Sequence, residues 1–245
     1  MIGTAHGEYL RDRIERERRG VPDGAAEGSR RCWGNIVWRF NDPWPMIYSS
    51  VVDYYLEPKI AYYFMRRAYE PVLVCFERTA DRLCVWVVND SPETVAGLLR
   101  VQRLSFDGKS LGRQQAQLKL TPGQAKRCLD TAEFGEISLR SEFLQASIVD
   151  CEANCLLIGE RYLHLPQAHL TAHQENDRLE IATDGFARQV TLQAEGVPAG
   201  VFEDNYFDLA PGQKRRVAVL YGPRTGRITL RALNSTPLTI PWASR

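Results

Sequence analysis

Trp38, Asn41, Asp42 and Trp44 are residues whose types and spacing suit a definite chemistry, the recognition of a sugar. An indole face covers the apolar side of a pyranose ring, while an amide and a carboxylate exchange paired hydrogen bonds with adjacent hydroxyls. Bland readings stand beside this one. Trp38 also suits a core indole and Trp44 packing beneath a loop. Asp42 precedes Pro43, an ordinary turn-forming arrangement, so Asn41 and Asp42 could equally hold a loop in shape.

Other chemistry-bearing groups are weaker. His164, His169 and His173 lie five and four residues apart, which fits neither a strand face nor a zinc motif. Glu203, Asp204, Asn205 and Asp208 offer hard oxygen ligands, but not at the spacing of a calcium loop. Cys151 and Cys155 lack a second close pair, so the six cysteines read as free thiols in a reducing, cytoplasmic setting. A Cys75–Cys84 bridge is conceivable only if a hairpin sets the two opposite each other. No metal and no cofactor are expected.

These residues need elements to position them. Residues 4–19 read as a solvated helix with Asp12–Arg16 and Glu15–Arg19 as acid-before-base pairs and a narrow stripe of Tyr9, Leu10 and Ile14. Ile36 to Phe40 reads as a short buried strand running into the indole loop. Pro58 opens a second helix whose apolar face is Ile60, Ala61, Phe64, Met65 and Ala68, with Arg66 and Arg67 in its last turn. After Pro71 the texture becomes β-rich. Strands are predicted over 72–78, 83–89, 95–106, 114–120, 143–150 and 155–160, then over 170–174, 179–183, 189–194, 215–221 and 227–233. Residues 161–166 read as a linker or crossing strand, and Asp107-Gly108 and Asp184-Gly185 as hairpin turns. The expected fold class is mainly β: two immunoglobulin-like β-sandwiches (71–165 and 166–245) behind a helix–strand–helix segment (1–70).

The 245 residues carry 44% apolar and 25% charged side chains, enough for a sizeable core. Thirty-one basic residues nearly cancel thirty acidic ones, so charge balance points to no nucleic-acid partner. No apolar run is long enough for a membrane span.

Three stretches resemble glycoside hydrolase family 2 of the β-mannosidase type. Trp38-Arg39-Phe40-Asn41-Asp42-Pro43-Trp44-Pro45, continued by residues 51–63, is similar to the last strand, loop and helix of that family's (β/α)₈ barrel. Residues 68–74 resemble the exit from barrel to sandwich, and residues 201–212 a signature of the C-terminal sandwich. The resemblance implies that residues 1–70 are the end of a barrel and that the substrate is a terminal β-linked sugar, commonly a mannoside. It implies retaining hydrolysis by two glutamates about 5 Å apart, with Trp38, at the C-terminal end of a strand, as the platform under the sugar. Both glutamates precede the last barrel strand in the family. No Asn-Glu dipeptide occurs here, and Ser141-Glu142-Phe143, which imitates the nucleophile's surroundings, falls inside the first sandwich. The expectation is a chain with no catalytic residue of its own, silent alone. The alternatives are a carbohydrate-binding or protein-interaction module, or a subunit that complements a separate barrel chain.

Overall fold

The computed structural model describes residues 2–20, 34–46, 49–79, 82–195, 201–221 and 225–243. Two helices come first, α1 (Ile2–Arg19) and α2 (Ile60–Ala68). They lie against each other where α1 has no side chain: a Cβ at Gly7 would stand 2.9 Å from Phe64 Cγ, and one at Gly3 3.1 Å from Ile60 Cδ1. Glycine costs helix propensity, yet here it permits close approach. Of the expected stripe on α1, Ile14 is buried whereas Tyr9 is exposed. The i,i+4 pairs that form are Arg11–Glu15 and Arg13–Glu17, base before acid, because Arg19 reaches off the helix to Cys75 and Glu77.

α2 begins at Ile60 with Lys59 as its cap, so Pro58 stands just outside it, bridged to Val52. The strand expected over Ile36 to Phe40 does not form. Regular pairing in residues 34–46 is limited to one bridge, Asn41 to Val52, since no other strand among the described residues lies alongside. Ile36, expected to be buried, is 94% exposed.

The first sandwich is built from β1 (Val72–Arg78), β2 (Leu83–Asn89), β3 (Val95–Ser105), β4 (Ser110–Leu120), β5 (Gln124–Asp130), β6 (Glu142–Ile148) and β7 (Cys151–Leu156). Sheet β1-β2-β5 faces sheet β4-β3-β6-β7, and Val74, Val85, Val87, Leu99, Val101, Leu118 and Ile148 fill the space between them. The outer face of β1 and β2 is buried too, with Leu73, Cys75, Cys84, Trp86 and Val88 in a separate cluster. That double burial explains the unbroken apolar run at Leu83–Val88.

The second sandwich holds β8 (Leu170–Glu175), β9 (Arg178–Thr183), β10 (Ala187–Ala194), β11 (Val201–Phe202), β12 (Phe207–Leu209), β13 (Lys214–Tyr221), β14 (Thr225–Arg231) and β15 (Leu238–Ala243). Sheet β12-β10-β14-β15 packs on sheet β11-β13-β9-β8 around Leu179, Ile181, Val190, Phe202, Val217, Ile228 and Leu230. Four strands across the two sandwiches were not foreseen. β5 is polar, β11 and β12 are very short, and β15 contains Pro241, which survives because β15 is an edge strand. β7 also lies a few residues earlier than expected.

One turn assignment needs correction, and the register of the β1–β2 hairpin rules out the conditional bridge. Cys75 pairs with Trp86 and Cys84 with Glu77, so register sets the two thiols apart, and both are free. Asp184-Gly185 joins strands of opposite sheets and is no hairpin. Asp107-Gly108 does turn β3 into β4, with Gly108 at φ +90°. A shared aromatic cluster joins the sandwiches: Phe106, Phe143 and Phe186 have centroids 4.5–5.7 Å apart, and the Phe186 N–H donates to the Phe106 carbonyl at 2.9 Å.

Candidate functional site

The loop from Asn35 to Met46 hangs between the two helices. Asn35 fastens one end by donating to Glu17 of α1 at 2.7 Å and accepting from the Tyr69 hydroxyl beyond α2. At the other end the Phe40 carbonyl accepts from the N–H groups of Val51 and Val52, and the Asp42 N–H donates to the Val52 carbonyl. Between these anchors the loop presents its rings outward. Trp38 is 81% and Trp44 57% exposed, and Asn41 is exposed beside them.

Asp42 is placed differently. Its carboxylate is enclosed, with Ser50 Oγ donating at 2.5 Å and Lys59 Nζ at 2.7 Å to one oxygen and Arg39 at 3.3 Å to the other. The Lys59 ammonium and the Ser50 hydroxyl hold its carboxyl below the usual carboxylate range. Arg39 in turn stands over the Trp44 ring, 5.9 Å from its centroid. Asp42 therefore shapes the loop, while Trp38, Asn41 and Trp44 face outward. The parts played by Arg39, Ser50 and Lys59 were not visible in the sequence. Their contacts join side chains up to seventeen residues apart through an irregular loop, and no periodicity marks such contacts.

The remaining candidates have structural roles. Glu142 is buried at the start of β6, bound through both oxygens to Arg103 at 2.6 and 3.2 Å. His173 lies 3.5 Å from Glu180 and 3.7 Å from Glu175, a grouping with the elements of a cation site. Glu180 already accepts from Lys214 at 2.6 Å and Arg216 at 3.1 Å, and those cations hold its carboxyl below its usual range. A metal ion there would meet two like charges. The corner around Glu203 to Asp208 binds protein: Asp204 pairs with Arg67 and Arg215, each at 2.5 Å, and Asp208 with Arg188.

Residues 81–167 match the mannosidase Ig/CBM-like domain and residues 163–236 the Ig-fold domain of mannosidases. β-Mannosidase B of Aspergillus niger is 33% identical over 224 residues, covering 78% of this chain and 26% of that protein. β-Mannosidase A of Aspergillus terreus is 27% identical over 241 residues, covering 86% and 25%. In fold, the β-D-mannosidase of Dictyoglomus thermophilum superposes with a TM-score of 0.76 at 23% identity, covering 94% of this chain and 29% of that one. An exo-chitosanase of Amycolatopsis orientalis gives 0.76 at 16%, covering 98% and 34%. The chain belongs to glycoside hydrolase family 2 and corresponds to the C-terminal portion of its β-mannosidase-type members. It spans about a quarter of the length of the curated relatives it matches.

Proposed function

We propose that this chain works as the C-terminal part of a retaining, exo-acting β-glycosidase that removes terminal β-linked sugars, with mannosides as the first substrates to try. Trp38, Asn41 and Trp44 supply one wall of the sugar pocket, and Asp42 keeps that wall in shape. The two glutamates, proton donor and nucleophile about 5 Å apart, come from barrel strands outside these 245 residues. The observation that carries this reading is the outward presentation of both indoles on a loop whose carboxylate is tied inward.

Ile36, Phe40, Tyr55 and Leu56 are all exposed, and large apolar side chains left in solvent on one segment favour a covering partner, which supports the same reading. The remaining barrel strands suit it, whether in the same polypeptide or in a complementing subunit. The free thiols fit the cytoplasmic setting expected from cysteine usage. No described helix is long and apolar enough to cross a membrane.

The test is turnover of a chromogenic β-mannoside by the chain alone and after addition of a barrel segment from a β-mannosidase relative. The expected result is silence alone and hydrolysis on complementation, lost in Trp38→Ala. Robust turnover by the isolated chain would overturn the proposal. Sugar binding without turnover in the complemented protein would make the chain a binding module instead.

A further inference from the structure

We infer that Lys59 is the positioning residue for the sugar-facing loop. This rests on the reading that the indoles of that loop meet a sugar. Lys59 caps α2 and ties three segments together at one point. Its ammonium donates to Asp42 Oδ2 at 2.7 Å and to Ser50 Oγ at 2.6 Å, and its backbone N–H donates to the Val51 carbonyl at 2.9 Å. Ser50 completes the ring by donating to the same Asp42 oxygen at 2.5 Å. Through these bonds a rigid helix holds a loop that forms no regular sheet.

The connection continues outward. The second Asp42 oxygen accepts from Arg39 at 3.3 Å, Arg39 also reaches Met46 Sδ at 2.8 Å, and its guanidinium stands over Trp44. Lys59 therefore acts on Trp44 through Asp42 and Arg39. With Lys59 shortened to an apolar group, the enclosed carboxylate loses one of its cations. A buried carboxylate in that condition opens toward water, and the loop opens with it. Binding groups displaced by about 1 Å lose on the order of tenfold to a hundredfold in effect.

The test uses the whole 245-residue chain labelled with ¹⁵N at tryptophan, each indole signal being assigned by Trp→Phe substitution. In Lys59→Met the Trp44 signal should broaden or move, and amide exchange at Asp42, Val51 and Val52 should speed up, while the Trp242 signal in the distant sandwich stays in place. Titration with methyl β-D-mannopyranoside should shift Trp38 and Trp44 in the unaltered chain, with Kd about tenfold weaker in Lys59→Met. Lys59→Arg, which keeps the charge, should restore most of both effects. An unchanged Trp44 signal and unchanged exchange in Lys59→Met would overturn the inference. If the unaltered chain shows no response to sugar, the sugar reading fails, and the signal and exchange changes still decide the role of Lys59.

Discussion

Arg67 on α2 and Asp204 in the corner of the second sandwich stand 137 residues apart in sequence and meet at 2.5 Å. The same guanidinium donates to the carbonyls of Asn205 at 3.0 Å and Tyr206 at 3.1 Å. One side chain thus fastens α2, to which the indole loop is tied, to the second sandwich. Arg67→Met should destabilise the protein by about 2 kcal/mol, less than the roughly 3–5 kcal/mol lost on breaking a fully buried pair, because Arg67 is partly exposed and Arg215 still neutralises Asp204. Urea denaturation checks it, and a change under about 0.5 kcal/mol would place the pair among inert surface contacts.

Arg188 is a larger hub. Its side chain is 4% exposed and reaches Glu8 of α1 at 2.9 Å, Glu160 between the sandwiches at 2.6 Å and Asp208 at 2.8 Å. Arg188→Met leaves three carboxylates facing one another and should cost about 3–5 kcal/mol. Thermal unfolding should fall in step with faster amide exchange along α1. Loss of stability with α1 still protected would show that the hub serves the second sandwich alone.

Glu15 makes stability depend on pH. Burial against the first sandwich pushes its carboxyl up to about 7 from an ordinary value near 4.5, against the opposing pull of Arg11. The folded state then binds more protons than the unfolded one between those values, so stability falls as pH rises through that window and levels off above it. The span amounts to at most about 3 kcal/mol. Glu15→Gln should flatten the slope between pH 5 and pH 8 and raise stability at the alkaline end, as read by urea denaturation at several pH values.

Cys75 should resist alkylation. It is buried, and burial pushes its thiol up to about 12, which leaves almost no thiolate near neutral pH. Iodoacetamide labelling followed by peptide mass mapping should find Cys75 unmodified in the native protein and modified in urea. Rapid native labelling would mean that α1 lifts off the sheet.

Trp38→Ala should leave stability within about 0.5 kcal/mol, as expected for a surface substitution, since the ring is 81% exposed. The same change should abolish the sugar response. A marked fall in stability would assign the indole to packing.

Much of this fold was legible in the sequence. The β-rich texture after Pro71 and the turn at Asp107-Gly108 follow from alternation and glycine preference, both local properties, and the helix before the indole loop forms although its ion pairs are Arg11–Glu15 and Arg13–Glu17 rather than the two that pointed to it. The strand expected at Ile36 to Phe40 failed for a non-local reason. Its apolar alternation specifies a face to bury, but a strand forms only beside a partner, and Ile36 and Phe40 meet solvent instead. Cys75 and Cys84 show the same limit, because hairpin register, set by the turn, separates two residues that loop length alone would place together. At the candidate site the residue types alone did not separate the exposed Trp38, Asn41 and Trp44 from the enclosed Asp42. The inward network of Asp42, Ser50 and Lys59 is a product of tertiary closure.

Gly108 stands against Pro211, where a methyl group would come within 2.7 Å of the proline Cβ. The two sandwiches are therefore keyed to each other at this seam as well as through their common phenylalanines. A chimera that exchanged one sandwich for its counterpart from a relative would meet a mismatched lock, whereas exchanging both together would carry the fit along.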